Sequence, residues 1–183
     1  MKNDKINIQK SIEKKRVIRE TWFIEHIIDF SVYIVSISIS TFFGVFVFAL
    51  FINTEHLLTN TTLLGGILFG GLIFLSVVNI DKLKRISGIS EEKNRQIIKK
   101  KAKQLGWKIL NEDENLMEFG FHDLTNWRRQ VIVIFDQKDI LINSTAYGLF
   151  DLKSPFHWFG KRSSENSLIR EINEKKNDTP TKN

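Results

Sequence analysis

The sequence predicts a membrane α-hairpin of two transmembrane helices followed by a small cytoplasmic α+β domain with a four- or five-stranded antiparallel sheet and flanking helices. Three observations lead to this fold class. Residues 30–80 of the 183-residue chain contain one charged side chain, Glu55. Basic residues are concentrated on both sides of this apolar stretch. After residue 106, apolar and polar residues alternate with the period of half-buried strands.

The apolar stretch contains two runs that are long enough to cross a bilayer as helices. The first, 30–52, has 23 residues, and the second, 63–80, has 18. At about 1.5 Å per residue they reach about 34 and 27 Å, close to the hydrocarbon thickness of about 30 Å. Residues 53–62 are predicted to form a short external loop. Because the first run is too long for the apolar part of a signal peptide, we expect it to remain as an anchor.

The distribution of basic residues predicts the orientation. Seven lysines and arginines precede the first run, none lies in the loop, and nine lie within residues 81–105. Cytoplasmic segments next to membrane helices carry such an excess, so both termini are predicted to be cytoplasmic. A composition rich in Lys, Ile and Asn favours a bacterial source, and therefore the bacterial inner membrane.

The segments next to the membrane are predicted to differ from the domain that follows. Residues 1–29 are expected to be a basic cytoplasmic segment, either an amphipathic helix on the inner leaflet or a flexible tail. Trp22 lies where an interfacial anchor belongs. Residues 81–89, which include Gly88, are predicted to form a juxtamembrane hinge.

Residues 90–172 are predicted to form the α+β domain. Ser90 and Gly106 are suited to begin and end a helix over residues 90–105. Strand patterns follow at 107–109, 117–121, 131–135 and 140–147, with a turn at 136–139 and a further strand near 149–152. A last helix begins after residue 163, and residues 173–183 are expected to be a disordered tail.

A face of small residues lies on the second apolar run. Thr62, Gly66 and Gly70 are spaced by four, so they share one side of a helix and allow close approach of another helix in lipid. The short loop favours packing against the first helix of the same chain. Homo-oligomerisation is the alternative use of this face.

No catalytic, cofactor or metal site is predicted. The chain has no cysteine, and its four histidines lack the spacing of a zinc motif. His122 and Asp123 are interpreted as a polar pair at a strand end rather than as an acid–base pair, because no nucleophile motif accompanies them. The paired glycines lie within the apolar run, so they do not form a phosphate loop.

A set of basic and aromatic residues is predicted to contact the membrane surface or a partner. Its members combine interfacial aromatic rings with cations; they are Trp22, Lys99, Lys100, Lys103, Phe156, Trp158, Phe159, Lys161 and Arg162. Residues 81–105 carry a net charge of +6 and residues 106–183 carry −1. The basic excess therefore indicates an anionic inner leaflet, and no nucleic-acid partner is predicted.

The features of the sequence are compatible with three functions. The first is a non-enzymatic two-pass membrane protein whose cytoplasmic domain binds a protein partner or senses a ligand. The alternative is an oligomeric assembly, such as a pore, toxin or immunity component, that acts through the glycine-faced hairpin. A membrane-bound enzyme ranks lowest, because no catalytic constellation is visible. In general plan alone, the two helices and the small domain ending in a helix resemble bacterial membrane-anchored PH-like proteins, and this resemblance implies no site residue.

Overall fold

A computed structural model of the protein describes residues 5–20, 23–52, 60–122, 128–147, 153–154 and 158–177. These residues form five helices and one five-stranded antiparallel sheet, which confirms the predicted α+β class. The chain divides into two compact units. One contains Met1–Glu20 and Asp81–Asn183, and the other contains Thr21–Ile80.

The second unit consists of two helices, α2 (Phe23–Ile52) and α3 (Asn60–Val78). Within α2, the 21 residues Phe30–Leu50 are long and apolar enough to cross a membrane. The apolar part of α3, Thr62–Val78, is shorter, so α2 contains the one candidate span among the described residues. Both predicted apolar runs are thus helical, while the predicted two-pass membrane hairpin is not confirmed by this criterion.

The outer surface of these two helices is apolar. Of the 21 large hydrophobic side chains that the described structure leaves exposed, 19 lie on α2 and α3. Such a surface is far more apolar than that of a soluble monomer. Two hydroxyls on α2 are bonded within the helix: Ser31 donates to the Ile27 carbonyl at 2.9 Å and Thr41 to the Ile37 carbonyl at 2.8 Å. These polar groups therefore need no water.

The first unit is built on a sheet with the strand order β1-β5-β4-β3-β2. Its strands are β1 (Lys84–Ser87), β2 (Lys108–Asp113), β3 (Leu116–His122), β4 (Arg128–Asp136) and β5 (Asp139–Tyr147). The strands β4 and β5 pair from Arg128 with Tyr147 to Asp136 with Asp139, around a turn in which Gln137 has a φ of 57°. This is the hairpin that the sequence predicts.

Two helices cover one face of the sheet. Helix α4 (Glu91–Gln104) begins with the Ser90 hydroxyl accepting from the Lys93 amide, and Gly106 follows it with a φ of 71°. Helix α5 (Trp158–Asn177) is the last element. The core beneath them contains Ile98, Ala102, Trp107, Met117, Phe119, Val131, Val133, Phe135, Ile140, Ile142, Leu168 and Ile172.

The N-terminal segment covers the opposite face. Its short helix α1 (Ile8–Lys14) ends at Lys15, which adopts the left-handed conformation with a φ of 52°. Ile6 and Val17, on either side of α1, are 4 % and 5 % exposed. They belong to a second core with Leu83, Leu116, Ile132, Ile134 and Leu141.

Three predicted segments differ from the structure. Residues 5–20 pack on the sheet as part of the first unit, whereas the sequence analysis treated 1–29 as a separate basic segment. The predicted hinge 81–89 contains strand β1, which pairs with the distant strand β5 and has one partly buried apolar side chain, Ile86. Helix α5 continues to Asn177 in the predicted tail. The strand predicted near 149–152 lies outside the described residues.

Removing buried volume from the N-terminal segment should destabilise the folded domain. We expect Ile6→Ala to lower the free energy of unfolding by about 2 kcal/mol, because it leaves a cavity in the second core. Urea unfolding of the full chain in mild detergent, followed by tryptophan fluorescence, measures this loss. Ile109→Ala is the matched control, since Ile109 is 50 % exposed. Equal transition midpoints for the two variants would show that residues 5–20 do not contribute to the core.

Candidate functional site

A partly buried polar network lies on the face of the sheet that the N-terminal segment covers. Gln130 on β4 is its centre: its Oε1 accepts from Arg19 Nη2 at 2.9 Å and from the Tyr147 hydroxyl at 2.8 Å. Its Nε2 donates to Glu118 Oε2 at 2.6 Å. The side chains of Glu118, Gln130 and Tyr147 come from three adjacent strands. The network thus ties the N-terminal segment to the middle of the sheet.

Burial favours the neutral form of Tyr147. Burial raises the pKa of the Tyr147 hydroxyl above its ordinary value of 10.0, although the positive charges of Arg19, Lys153 and Arg128 oppose this shift. The Arg128 guanidinium lies 4.8 Å from the centre of the Tyr147 ring, which is a cation–π contact. A protonated tyrosine donates its hydrogen bond to Gln130 and is not suited to act as a base near neutral pH.

Further polar contacts fix the residues where the chain enters and leaves the helical unit. The Val17 amide donates to the Asp81 carbonyl at 2.8 Å, and the Leu83 amide donates to the Lys15 carbonyl at 2.9 Å. Lys153 Nζ contacts both carboxylate oxygens of Asp81, at 2.9 and 3.0 Å. These groups are therefore used in holding two chain segments together.

Two lysines on α4 are paired with carboxylates. Lys99 Nζ lies 2.6 Å from Glu112 Oε1, and Lys101 Nζ lies 3.0 Å from Glu171 Oε2. The hydrogen bonds from Lys99 and Lys101 hold the pKa values of Glu112 and Glu171 below the ordinary value of 4.5. Lys99, predicted to contact the membrane or a partner, thus has a carboxylate partner within the domain, which it shares with Arg95.

Three other lysines form an exposed row on the same helix. Lys93, Lys100 and Lys103 are spaced by seven and three, so they share the outer side of α4. We call these three residues the basic stripe. None of them is in an ion pair with another residue of the described structure. Lys100 and Lys103 were among the predicted contact residues, whereas Lys93 was missed because it lies in the first turn, away from the run Lys99–Lys101.

The predicted small-residue face contacts α2 of the same chain. A Cβ built on Gly66 would lie 2.5 Å from Val45 Cγ2 and 2.9 Å from the Thr41 carbonyl oxygen. A Cβ on Gly70 would overlap the Thr41 hydroxyl, and Thr62 is fully buried. In the structure, these residues therefore lie in the contact between α2 and α3.

The remaining predicted contact residues are not placed in detail. Trp22 and Phe156 lie outside the described residues. Trp158, Phe159, Lys161 and Arg162 fall in α5, where the structure describes the backbone alone. Their contact with a membrane or partner stays a prediction.

Among the described residues, no group of three His, Asp or Glu side chains could hold a metal ion. The side chains of the predicted polar pair, His122 and Asp123, lie outside the part of the chain that is described. No family model matches the chain, and a search of curated proteins gives no match. The residues of the chain itself are therefore the basis for the chemistry of the site.

Adding one methyl group to the small-residue face should separate the two helices. We expect Gly66→Ala to destabilise the hairpin by about 1–3 kcal/mol, the usual cost of overpacking. Gly71→Ala is the matched control, because a Cβ at Gly71 meets no atom within 4 Å. Thermal unfolding in detergent measures stability, and light scattering measures the oligomer mass. A changed mass with unchanged stability for Gly66→Ala would mean that the face joins different chains.

Proposed function

We propose that this chain is a non-enzymatic two-pass membrane protein whose α+β domain lies on the cytoplasmic side and binds an acidic protein partner. The observation that carries the membrane part is the pairing of residues 15–17 with residues 81–83. These segments immediately precede and follow the helical unit in the chain. Both belong to one folded domain.

This pairing determines how many times the chain can cross a bilayer. A folded domain lies on one side of a membrane, so a chain that leaves it at Glu20 and returns at Asp81 must cross an even number of times. If Phe30–Leu50 spans the bilayer, the chain has to cross again before Asp81. Helix α3 is the available element, and its 19 residues reach about 28 Å. That length is close to the hydrocarbon thickness of about 30 Å.

The exposed surface of the helical unit supports the same proposal. Its apolar side chains would be costly in water but favourable in lipid. The small residues Gly44, Gly65, Gly66 and Gly70 instead lie in the contact between α2 and α3. This division of small residues inside and large apolar residues outside is typical of helices packed in membranes.

The basic stripe supports binding of an acidic partner. Lys99 and Lys101 have carboxylate partners in the domain, whereas Lys93, Lys100 and Lys103 are exposed without one in the described structure. A row of like charges on one rigid helix steers an oppositely charged surface towards it and restricts its orientation. Carboxylates of a partner protein would complete the pairing that the neighbouring lysines already have.

The alternative functions have less support. An assembly that acts through the glycine face would need that face to be available, but its glycines contact α2 of the same chain. An enzyme would need polar groups that converge on a substrate, but the polar side chains around Gln130 bond to one another. We therefore propose a binding function rather than assembly or catalysis.

The membrane topology can be tested with single cysteines, because the chain has none of its own. We expect Thr54→Cys to react with a membrane-impermeant maleimide from outside intact cells. Lys10→Cys and Lys176→Cys should react only after permeabilisation, because the folded domain holds both termini on one side. If Thr54 and Lys176 react from the same side, α3 does not cross the bilayer. If all three react alike, neither helix crosses.

The partner can be sought by photo-crosslinking from the basic stripe in living cells. A photoreactive residue at Gln96, which is exposed between Lys93 and Lys100, should give a protein adduct that mass spectrometry assigns to an acidic segment. Reversing the stripe to Glu at positions 93, 100 and 103 should reduce this adduct at least tenfold through charge repulsion.

The control reverses three exposed lysines elsewhere, Lys10, Lys108 and Lys138. It changes the net charge by the same amount and should leave the adduct in place. Adducts with lipid alone would assign the stripe to the membrane surface. Adducts that persist after reversal of the stripe would contradict the proposed partner site.

A further inference from the structure

Four exposed lysines surround the points where the chain leaves and re-enters the first unit. Lys14 and Lys15 lie at the end of α1, and Lys82 and Lys84 lie where the chain returns. We call these four residues the basic collar. None of them is in an ion pair with another described residue.

The backbone pairing brings the two halves of the collar together. Arg16 and Lys82 form an antiparallel bridge, and the Leu83 amide donates to the Lys15 carbonyl at 2.9 Å. Because side chains alternate along extended segments, Val17 and Leu83 point into the second core and Arg16 and Lys82 point away from it. The left-handed conformation of Lys15 turns the chain from α1 into this pairing.

Lys82 follows the helical unit, which ends at Ile80, almost directly in the chain. Lys82 is two residues from Ile80, so their Cα atoms lie within about 7 Å of each other. The headgroup layer on each side of the hydrocarbon core is only about 5–8 Å deep. Lysine side chains can reach across such a layer while their ammonium groups stay hydrated.

The acidic groups near the collar leave it positive. The Asp81 carboxylate is in an ion pair with Lys153, and the Glu20 carboxylate accepts a hydrogen bond from the Asn7 side chain at 3.2 Å. Glu13 on α1 and Glu20 are exposed acidic neighbours, and the hydrogen bond from the neutral Asn7 amide leaves the charge of Glu20 in place. The four lysines outweigh these two carboxylates.

We propose that the basic collar binds the phosphate groups of anionic phospholipids, which deepens the proposed function and rests on its membrane insertion. The collar is separate from the basic stripe, because Lys14 and Lys15 belong to the segment on the opposite face of the sheet from α4, and Lys82 and Lys84 lie at the edge strand β1 rather than on α4. The positive charge of the protein thus serves two partners at two places: lipid at the collar and an acidic protein at the stripe.

The test compares lipid selection by the full-length protein in vesicles of phosphatidylcholine with and without phosphatidylglycerol. Native mass spectrometry of the released protein counts the retained lipids of each kind. We expect a preference for phosphatidylglycerol that falls at least tenfold when the four collar lysines are changed to Gln. Each lysine near an anionic surface contributes about fivefold.

A matched variant changes Lys93, Lys100, Lys103 and Lys108 to Gln and should keep the preference. The four collar Lys→Arg changes should also keep it. Equal losses in the two Gln variants would overturn the proposal, because the preference would then follow net charge. Loss of the preference in excess inorganic phosphate without any change of vesicle would likewise overturn it, since the site would bind free phosphate.

Two further measurements keep the outcome decisive. If the fourfold variant does not fold, Lys15→Gln and Lys82→Gln singly should each reduce the preference about fivefold, and unchanged single variants would overturn the collar. Extraction with alkaline carbonate separates this inference from the proposed function. A protein that leaves phosphatidylcholine vesicles under carbonate refutes membrane insertion itself, whereas a retained protein without lipid preference refutes the collar alone.

Discussion

The pairing of residues 15–17 with residues 81–83 is the contact on which the rest of the structure depends. Two backbone hydrogen bonds of 2.8 and 2.9 Å join the segments, and Val17 and Leu83 bury their side chains in the same core. The whole helical unit, Thr21–Ile80, is therefore an insertion between two paired ends. Closing such a long loop costs entropy, but an antiparallel helical hairpin already returns its ends to the same side and so reduces that cost.

The same pairing accounts for the sequence of the central strand. Val131, Ile132, Val133, Ile134 and Phe135 are all buried, so β4 is apolar on both faces. A strand in an antiparallel sheet with one face in water would alternate with polar residues. Helices α4 and α5 cover one face, and among the described residues the N-terminal segment covers the other. The continuous apolar run thus indicates that a second layer covers the other face of the sheet, and this layer was not among the predicted elements.

Local patterns in the sequence predicted most elements, and long-range contacts account for those that were missed. The cap at Ser90, the stop at Gly106 and the turn near Gln137 act within a few residues, and the structure contains all three. Strand β1 depends on its partner β5, more than fifty residues later. Glu118 and Gln130 have the pattern of exposed strand residues, and only the N-terminal segment, far away in sequence, buries their network. The lysines of α4 could not be sorted into paired and unpaired ones without β2 and α5.

The division of the basic residues into paired and unpaired ones changes how the positive charge of residues 81–105 is interpreted. Four of the nine basic residues in 81–105 are in ion pairs: Arg85 with Asp136 and Asp139, Arg95 with Glu91 and Glu112, and Lys99 and Lys101 with their carboxylates. These four already have carboxylate partners within the domain. The five others divide between the return point of the chain, at Lys82 and Lys84, and the outer side of α4. In the proposed two-pass protein, the first group lies closest along the chain to the end of α3, and the second group lies farther along it. The charge of the basic stripe is therefore better accounted for by the proposed protein partner than by the proposed anchoring.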